Sequence, residues 1–197
     1  MRLPRAAPML RSGQHTEFCV SDTLSLATPL RLAEIDYPVH PGQYLTRPPD
    51  DWRKETGMDI RKITDELSVA PQIRADDVSA IAAAGFRAVI CNRPDGEASD
   101  QPCCQDIEAA VKASGLAWRM QPVRSGGVTQ ADADAFGELM AELPKPVLAY
   151  CRSGTRCATL WCLCETGKRP LSDILDRARA AGYDMAAVMR RAMGSGV

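Results

Sequence analysis

Histidine is almost missing from this chain. Among 197 residues there are two, His15 and His40, and none follows Met58. A domain built from that later part holds no Cys–His dyad, no Ser–His–Asp triad and no histidine metal site. An excess of one charge is missing as well. The 24 Lys and Arg residues stand against 25 Asp and Glu, which excludes the basic stripe of a nucleic-acid or membrane-surface binder. No apolar run is long enough to span a bilayer. Arg2, Arg5 and Arg11 are not followed by the apolar stretch of a secretory signal. Cys103-Cys104 and Cys162-x-Cys164 lack zinc-ligand spacing, so no metal is expected.

Cysteine itself is plentiful: Cys19, Cys91, Cys103, Cys104, Cys151, Cys157, Cys162 and Cys164. The chain is too long and too apolar for a disulfide-stapled scaffold. Most of these cysteines fall in apolar strand or helix patterns, where a free thiol packs as a small hydrophobe. The expected setting is reducing and cytoplasmic. Residues 1–57 are interrupted by prolines from Pro4 to Pro49 and hold neither strand nor helix period. They read as a disordered N-terminal extension, or as sequence upstream of a start at Met58. Residues 58–197 read as one domain.

In that domain, strand and helix patterns alternate. Residues 60–70 form one or two strands with a turn near Asp65. Strands follow at 86–92, 116–123 and 146–150. Helices are expected at 75–85, 105–115, 129–143, 154–166, 172–182 and 184–193, several closed by glycine. Thr129, with Asp132 three residues on, has the form of a capping box. The alternation implies an α/β fold with a mostly parallel central sheet flanked by helices.

The strand at 146–150 ends abruptly at Cys151, and Arg152, Ser153, Gly154, Thr155 and Arg156 lead into a helix. Ligands of open α/β sheets bind at such strand ends. Gly154 lets the loop curl so that backbone N–H groups converge on an anion. The helix dipole and the Arg156 guanidinium favour a thiolate at Cys151. Cysteines so placed fall from a pKa of about 8.5 to about 3.5–7.5. Cys151 is the candidate nucleophile, Arg156 its catalytic cation, and residues 152–155 the anion-binding loop. No cofactor is called for.

The stretches "MDIRKITDELSVAPQI" (58–73), "AAAGFRAVICNRPDGE" (82–97), "PVRSGGVTQADADAF" (122–136), "VLAYCRSGTRCATLW" (147–161) and "ARAAGYDM" (178–185) resemble the beta-lactamase-hydrolase-like phosphatase family, also called a sulfurtransferase family. The resemblance implies a fold similar to dual-specificity, cysteine-dependent phosphatases. Some members of the family are fused to a metallo-beta-lactamase-type domain resembling persulfide dioxygenases; no stretch of this sequence is expected to form one. A persulfide-metabolising enzyme is thus an expected partner.

Three features favour sulfur chemistry over phosphate chemistry. The loop is Cys151-x4-Arg156, one residue shorter than the Cys-x5-Arg loop of cysteine phosphatases and resembling that of rhodaneses. Cys157 stands where phosphatases carry a hydroxyl that helps the thiolate leave. The stretch 120–128, which matches the acid-bearing loop of dual-specificity phosphatases, has no carboxylate to act as general acid. The expected activity is therefore a sulfurtransferase that carries sulfane sulfur on Cys151, fed by a small anionic donor. The alternatives are a phosphatase acting on phosphate monoesters and a non-catalytic anion-binding regulatory module. Arg93 and Asp95, in the loop 92–97, are supporting candidates for binding substrate and donating a proton, although a Pro-Asp-Gly turn explains Asp95 equally. Arg124 and Ser125 belong to a further loop on the same face. Cys157, Trp161 and Cys164 share one helical face and are expected to pack in the core, with resolution of an oxidised Cys151 as a lesser role for Cys157.

Overall fold

The structure, a computed structural model, describes residues 57–194. The expected extension at residues 1–57 lies outside them except for Gly57. Among the described residues, five strands form one sheet: β1 (Arg61–Lys62), β2 (Leu67–Ala70), β3 (Ala88–Cys91), β4 (Ala117–Met120) and β5 (Val147–Tyr150), in the order β1-β2-β5-β3-β4. Only the β1–β2 pair is antiparallel, across the turn expected near Asp65. The other pairs are parallel. Six helices follow the expected positions: α1 (Val78–Ala83, after a 3-10 turn at Ala75–Asp77), α2 (Cys104–Ala113), α3 (Gln130–Glu142), α4 (Thr155–Cys164), α5 (Leu171–Ala180) and α6 (Ala186–Gly194). The capping box at α3 is present: Asp132 N–H donates to Thr129 Oγ1 at 3.2 Å, and Thr129 N–H donates to Asp132 Oδ2 at 2.8 Å.

The sheet is buried on both sides, so β2, β3 and β5 are covered at every position. Strand alternation then assigns residues to faces. Val147 and Ala149 pack with Phe136, Leu160, Ile174 and Met189 of helices α3 to α6. Leu148 and Tyr150 pack with Val78 and Ile81 of α1 and Ile107 and Val111 of α2. Helix α4 is buried along nearly its whole length. Gly137 on α3 allows this close packing, because a Cβ there would come within 2.8 Å of Cys164 Sγ.

The register sets the site. Ala70 and Cys91 both pair with Tyr150, and Cys91 pairs with Met120. These strands thus end together, and the loops that follow β2, β3, β4 and β5 gather at one edge of the sheet, the edge where such folds bind ligands.

Candidate active site

Cys151 is the first residue beyond β5, and α4 begins at Thr155. Gly154 turns the chain between them with φ of +82°, in the left-handed region that side chains disfavour. A Cβ at Gly154 would also lie 2.1 Å from the Tyr183 hydroxyl. That hydroxyl donates to Ser153 O at 3.3 Å and braces the loop from outside. Arg61 lies over the Tyr183 ring, 5.1 Å from its centroid, a cation–π contact that holds the brace. From the β2 side, Gln72 N–H donates to Arg152 O at 3.4 Å.

The curled loop surrounds the Cys151 sulfur with donors. Gly154 N–H donates to Sγ at 3.2 Å. The Cys157 thiol also donates to it, and this bond is the largest cause of a pKa held down to about 5. Burial opposes the shift, and the backbone N–H groups of Ser153, Cys157 and Arg156 add to it. Cys157 itself is fully buried, and burial together with the adjacent Cys151 pushes its thiol well up, so it stays a donor. The cause of activation therefore differs from the sequence expectation. The helix start contributes through its N–H groups, but the Arg156 guanidinium is turned to other partners. The role of Cys157 was hidden behind its core position.

Arg156 is 7% exposed. One terminal nitrogen donates to Asn92 O at 3.0 Å and the other to Glu97 Oε1 at 2.8 Å. Its Nε is buried without a partner among the described residues. Glu97 accepts from Arg93 Nε at 2.8 Å through its second oxygen. Burial would raise the Glu97 pKa, but the bonds from Arg93 and Arg156 outweigh it and hold the carboxyl below its usual range. Glu97 thus stays ionised and pins both arginines, a charge-assisted pairing of the stronger kind. Sequence reading passed over Glu97. Its signal was its place in the loop after β3, four residues beyond Arg93, but its partner Arg156 is 59 residues away.

A cavity of about 840 Å³ opens above this loop, with Cys151, Arg152, Ser153, Thr155 and Arg156 at its base. Ser125, Gly126 and Gln130 form one wall, and Val128, Leu163, Val188 and Ala192 give it an apolar side. Among the described residues, no carboxylate lines it. Arg93 is brought behind Arg156 through Glu97 and does not line the cavity. Asp95 is not brought to the cavity either; its Oδ1 accepts the Cys104 N–H at 3.3 Å, at the start of α2. Ser125 reaches the cavity and Arg124 does not.

Residues 59–168 match the family described as the phosphatase-like domain of beta-lactamase hydrolase-like protein. A beta-lactamase hydrolase-like protein of Agrobacterium fabrum is 37% identical over 131 residues, which are 66% of this chain and 30% of that protein. The corresponding protein of Xylella fastidiosa strain Temecula1 is 34% identical over 130 residues, 65% of this chain and 30% of that protein. The chain thus spans less than a third of the length of these curated relatives. Among crystal structures, a candidate phosphatase from Neisseria meningitidis superposes with a TM-score of 0.64 at 34% identity, covering 70% of this chain and 98% of that one. Tk-PTP in its active form superposes with a TM-score of 0.55 at 15% identity, over 69% of this chain and 97% of that one, and shares the fold. The match to the family over more than half of the chain, on a cysteine-phosphatase-like fold with Cys151 at its strand end, gives one assignment: the chain belongs to the family of the phosphatase-like domain of beta-lactamase hydrolase-like proteins.

Proposed function

We propose that the domain is a cysteine-dependent phosphatase acting on phosphate groups whose leaving oxygen needs no proton, such as aryl or acyl phosphates and phosphoanhydrides. The observation that carries this reading is the Cys151 sulfur, held as a thiolate at the base of an open cavity within a ring of N–H donors. Cys151 attacks phosphorus, the S–P bond forms, and the P–O bond breaks with its electron pair going to the leaving oxygen. Water then cleaves the phosphocysteine and the pair returns to sulfur. The loop N–H groups and Arg156 Nε bind the phosphoryl oxygens. With no carboxylate lining the cavity among the described residues, alkyl esters, which need a general acid, are poor substrates.

The sequence ranked sulfur transfer first. The family and its structural relatives carry phosphatase descriptions, and these move phosphate chemistry ahead. Sulfur transfer stays as the second reading because of the same missing carboxylate: sulfite and thiolates leave without an acid, and a persulfide on Cys151 fits the six-residue loop. The decisive experiment assays the purified full chain in parallel on an aryl phosphate and on thiosulfate. Brisk aryl phosphate hydrolysis that disappears in Cys151→Ser supports the first reading. Gain of one cyanide-removable sulfur on Cys151, without phosphate release, overturns it in favour of the second.

A further inference from the structure

A second recess, of about 280 Å³, lies beside the first. It is bounded by Gln72, Arg74, Arg93, Asp100, Pro102 and Arg152. Three guanidinium groups converge there from three loops at the same edge of the sheet, against one carboxylate of the recess, Asp100. Arg93 is fixed, 4% exposed, by Glu97 and by Gln72 Oε1, to which it donates at 2.9 Å. Arg74 and Arg152 are exposed and form no ion pair with a described residue. Arg93 is compensated by Glu97, but the unpaired Arg74 and Arg152 repel each other, and an anion between them turns that repulsion into attraction. Arg152 lines both recesses, so an anion in the second lies next to a group bound over Cys151.

We propose that this recess binds a second anionic group of the substrate, and that this group is the leaving phosphate of a phosphoanhydride. The inference rests on the phosphatase reading and explains how the domain works without a general acid. Cys151 attacks the terminal phosphorus, the S–P bond forms, and the bridging P–O bond breaks. The electron pair goes to the bridging oxygen, which departs on an already anionic phosphate. Arg74, Arg93 and Arg152 bind the charge that grows there, so electrostatic stabilisation does what a proton would do elsewhere. Water then attacks phosphorus, the S–P bond breaks with its pair returning to sulfur, and the proton of the water passes to the released phosphate.

The test uses the full chain carrying Cys151→Ser, with inorganic pyrophosphate and inorganic phosphate as calorimetric probes. Pyrophosphate is expected to bind one per chain, about tenfold or more tighter than phosphate, and Arg74→Gln is expected to cut that preference about tenfold, the size of one charge-assisted hydrogen bond. In the active chain, the ratio of kcat/KM for pyrophosphate to that for an aryl phosphate should fall by the same factor. Pyrophosphate binding no tighter than phosphate, or a preference untouched by Arg74→Gln, overturns the inference while aryl phosphate turnover keeps the phosphatase reading. Binding of pyrophosphate with cleavage of the aryl phosphate alone also overturns it. A chain that binds pyrophosphate with the expected preference but hydrolyses neither compound keeps the anion site and refutes the phosphatase reading.

Discussion

Replacing Cys157 by alanine should raise the pKa of Cys151. The Cys157 thiol makes the largest single contribution to holding Cys151 at about 5, ahead of the backbone N–H groups. A hydrogen bond to a charged group contributes about 1.5–3 kcal/mol, and about 1.4 kcal/mol corresponds to one pH unit. A thiol is a weak donor, so the lower end applies and Cys151 should titrate about one unit higher, near pH 6. Cys157→Ser supplies an O–H donor and should leave the value unchanged or lower it. Arg156→Ala should move it less than Cys157→Ala, because that guanidinium is engaged by Glu97 and Asn92. The assay is the pH dependence of alkylation of the Cys151 peptide, read by mass spectrometry to separate it from the other free cysteines. Equal titration of Cys151 in wild type and Cys157→Ala would refute the argument and leave the backbone cradle as the whole cause.

Three further outcomes follow from the same geometry. The folded chain keeps the Cys151 thiolate down to about pH 5, whereas an unfolded chain protonates it below about 8.5; stability should rise with pH between these values and fall away through pH 5, and Cys151→Ser should flatten that slope in thermal melts. Gly154→Ala combines a positive φ with a Cβ 2.1 Å from the Tyr183 hydroxyl, and should cost about 1–3 kcal/mol or more in denaturant unfolding; adding Tyr183→Phe removes the clashing oxygen and should restore part of the loss, and no restoration would refute the clash. Glu97→Gln removes the charge that pins Arg93 and Arg156 and should lower kcat/KM on an aryl phosphate about tenfold, the size of one charge-assisted bond; an unchanged value would show that the arginines hold their places without it.

Much of the fold could be read from alternation and punctuation. Apolar runs such as 146–150 mark strands covered on both faces, and Gly85, Gly115 and Gly167 end their helices at positive φ. The nucleophile was legible because its signal is local: a strand end, a glycine and a helix start within six residues. What escaped was long-range pairing. Glu97 sits in a turn-forming stretch, and nothing nearby marks it as the partner of Arg156 on the far side of the sequence. Tyr183, at the end of α5, touches a loop thirty residues before it. Gln72 and Arg74 look like ordinary polar residues after β2, and only the register of the sheet brings them beside Arg93 and Arg152. Asp95 shows the reverse case, where a carboxylate in a suggestive loop is drawn to the start of α2.

Cys157 combines a core position with an influence on the nucleophile. Its spacing with Trp161 and Cys164 marks a core face, and it is fully buried. Its thiol is nevertheless the largest cause that holds the Cys151 pKa down. In the resting site that contribution stabilises a thiolate. In the second step of either chemistry the same thiolate is the leaving group, expelled from a phosphocysteine by water or from a persulfide by an acceptor. A donor in place before the bond breaks stabilises the charge as it develops, with no reorganisation at that moment. A hydroxyl at this position is the stronger donor, so on the proposed phosphatase reading phosphocysteine breakdown is slower with this cysteine than with a serine there. Cys157→Ser should therefore speed the second step, and in rapid-mixing kinetics on an aryl phosphate the burst should shrink relative to the steady rate. A larger burst in Cys157→Ser would mean that the thiol acts on the resting thiolate alone.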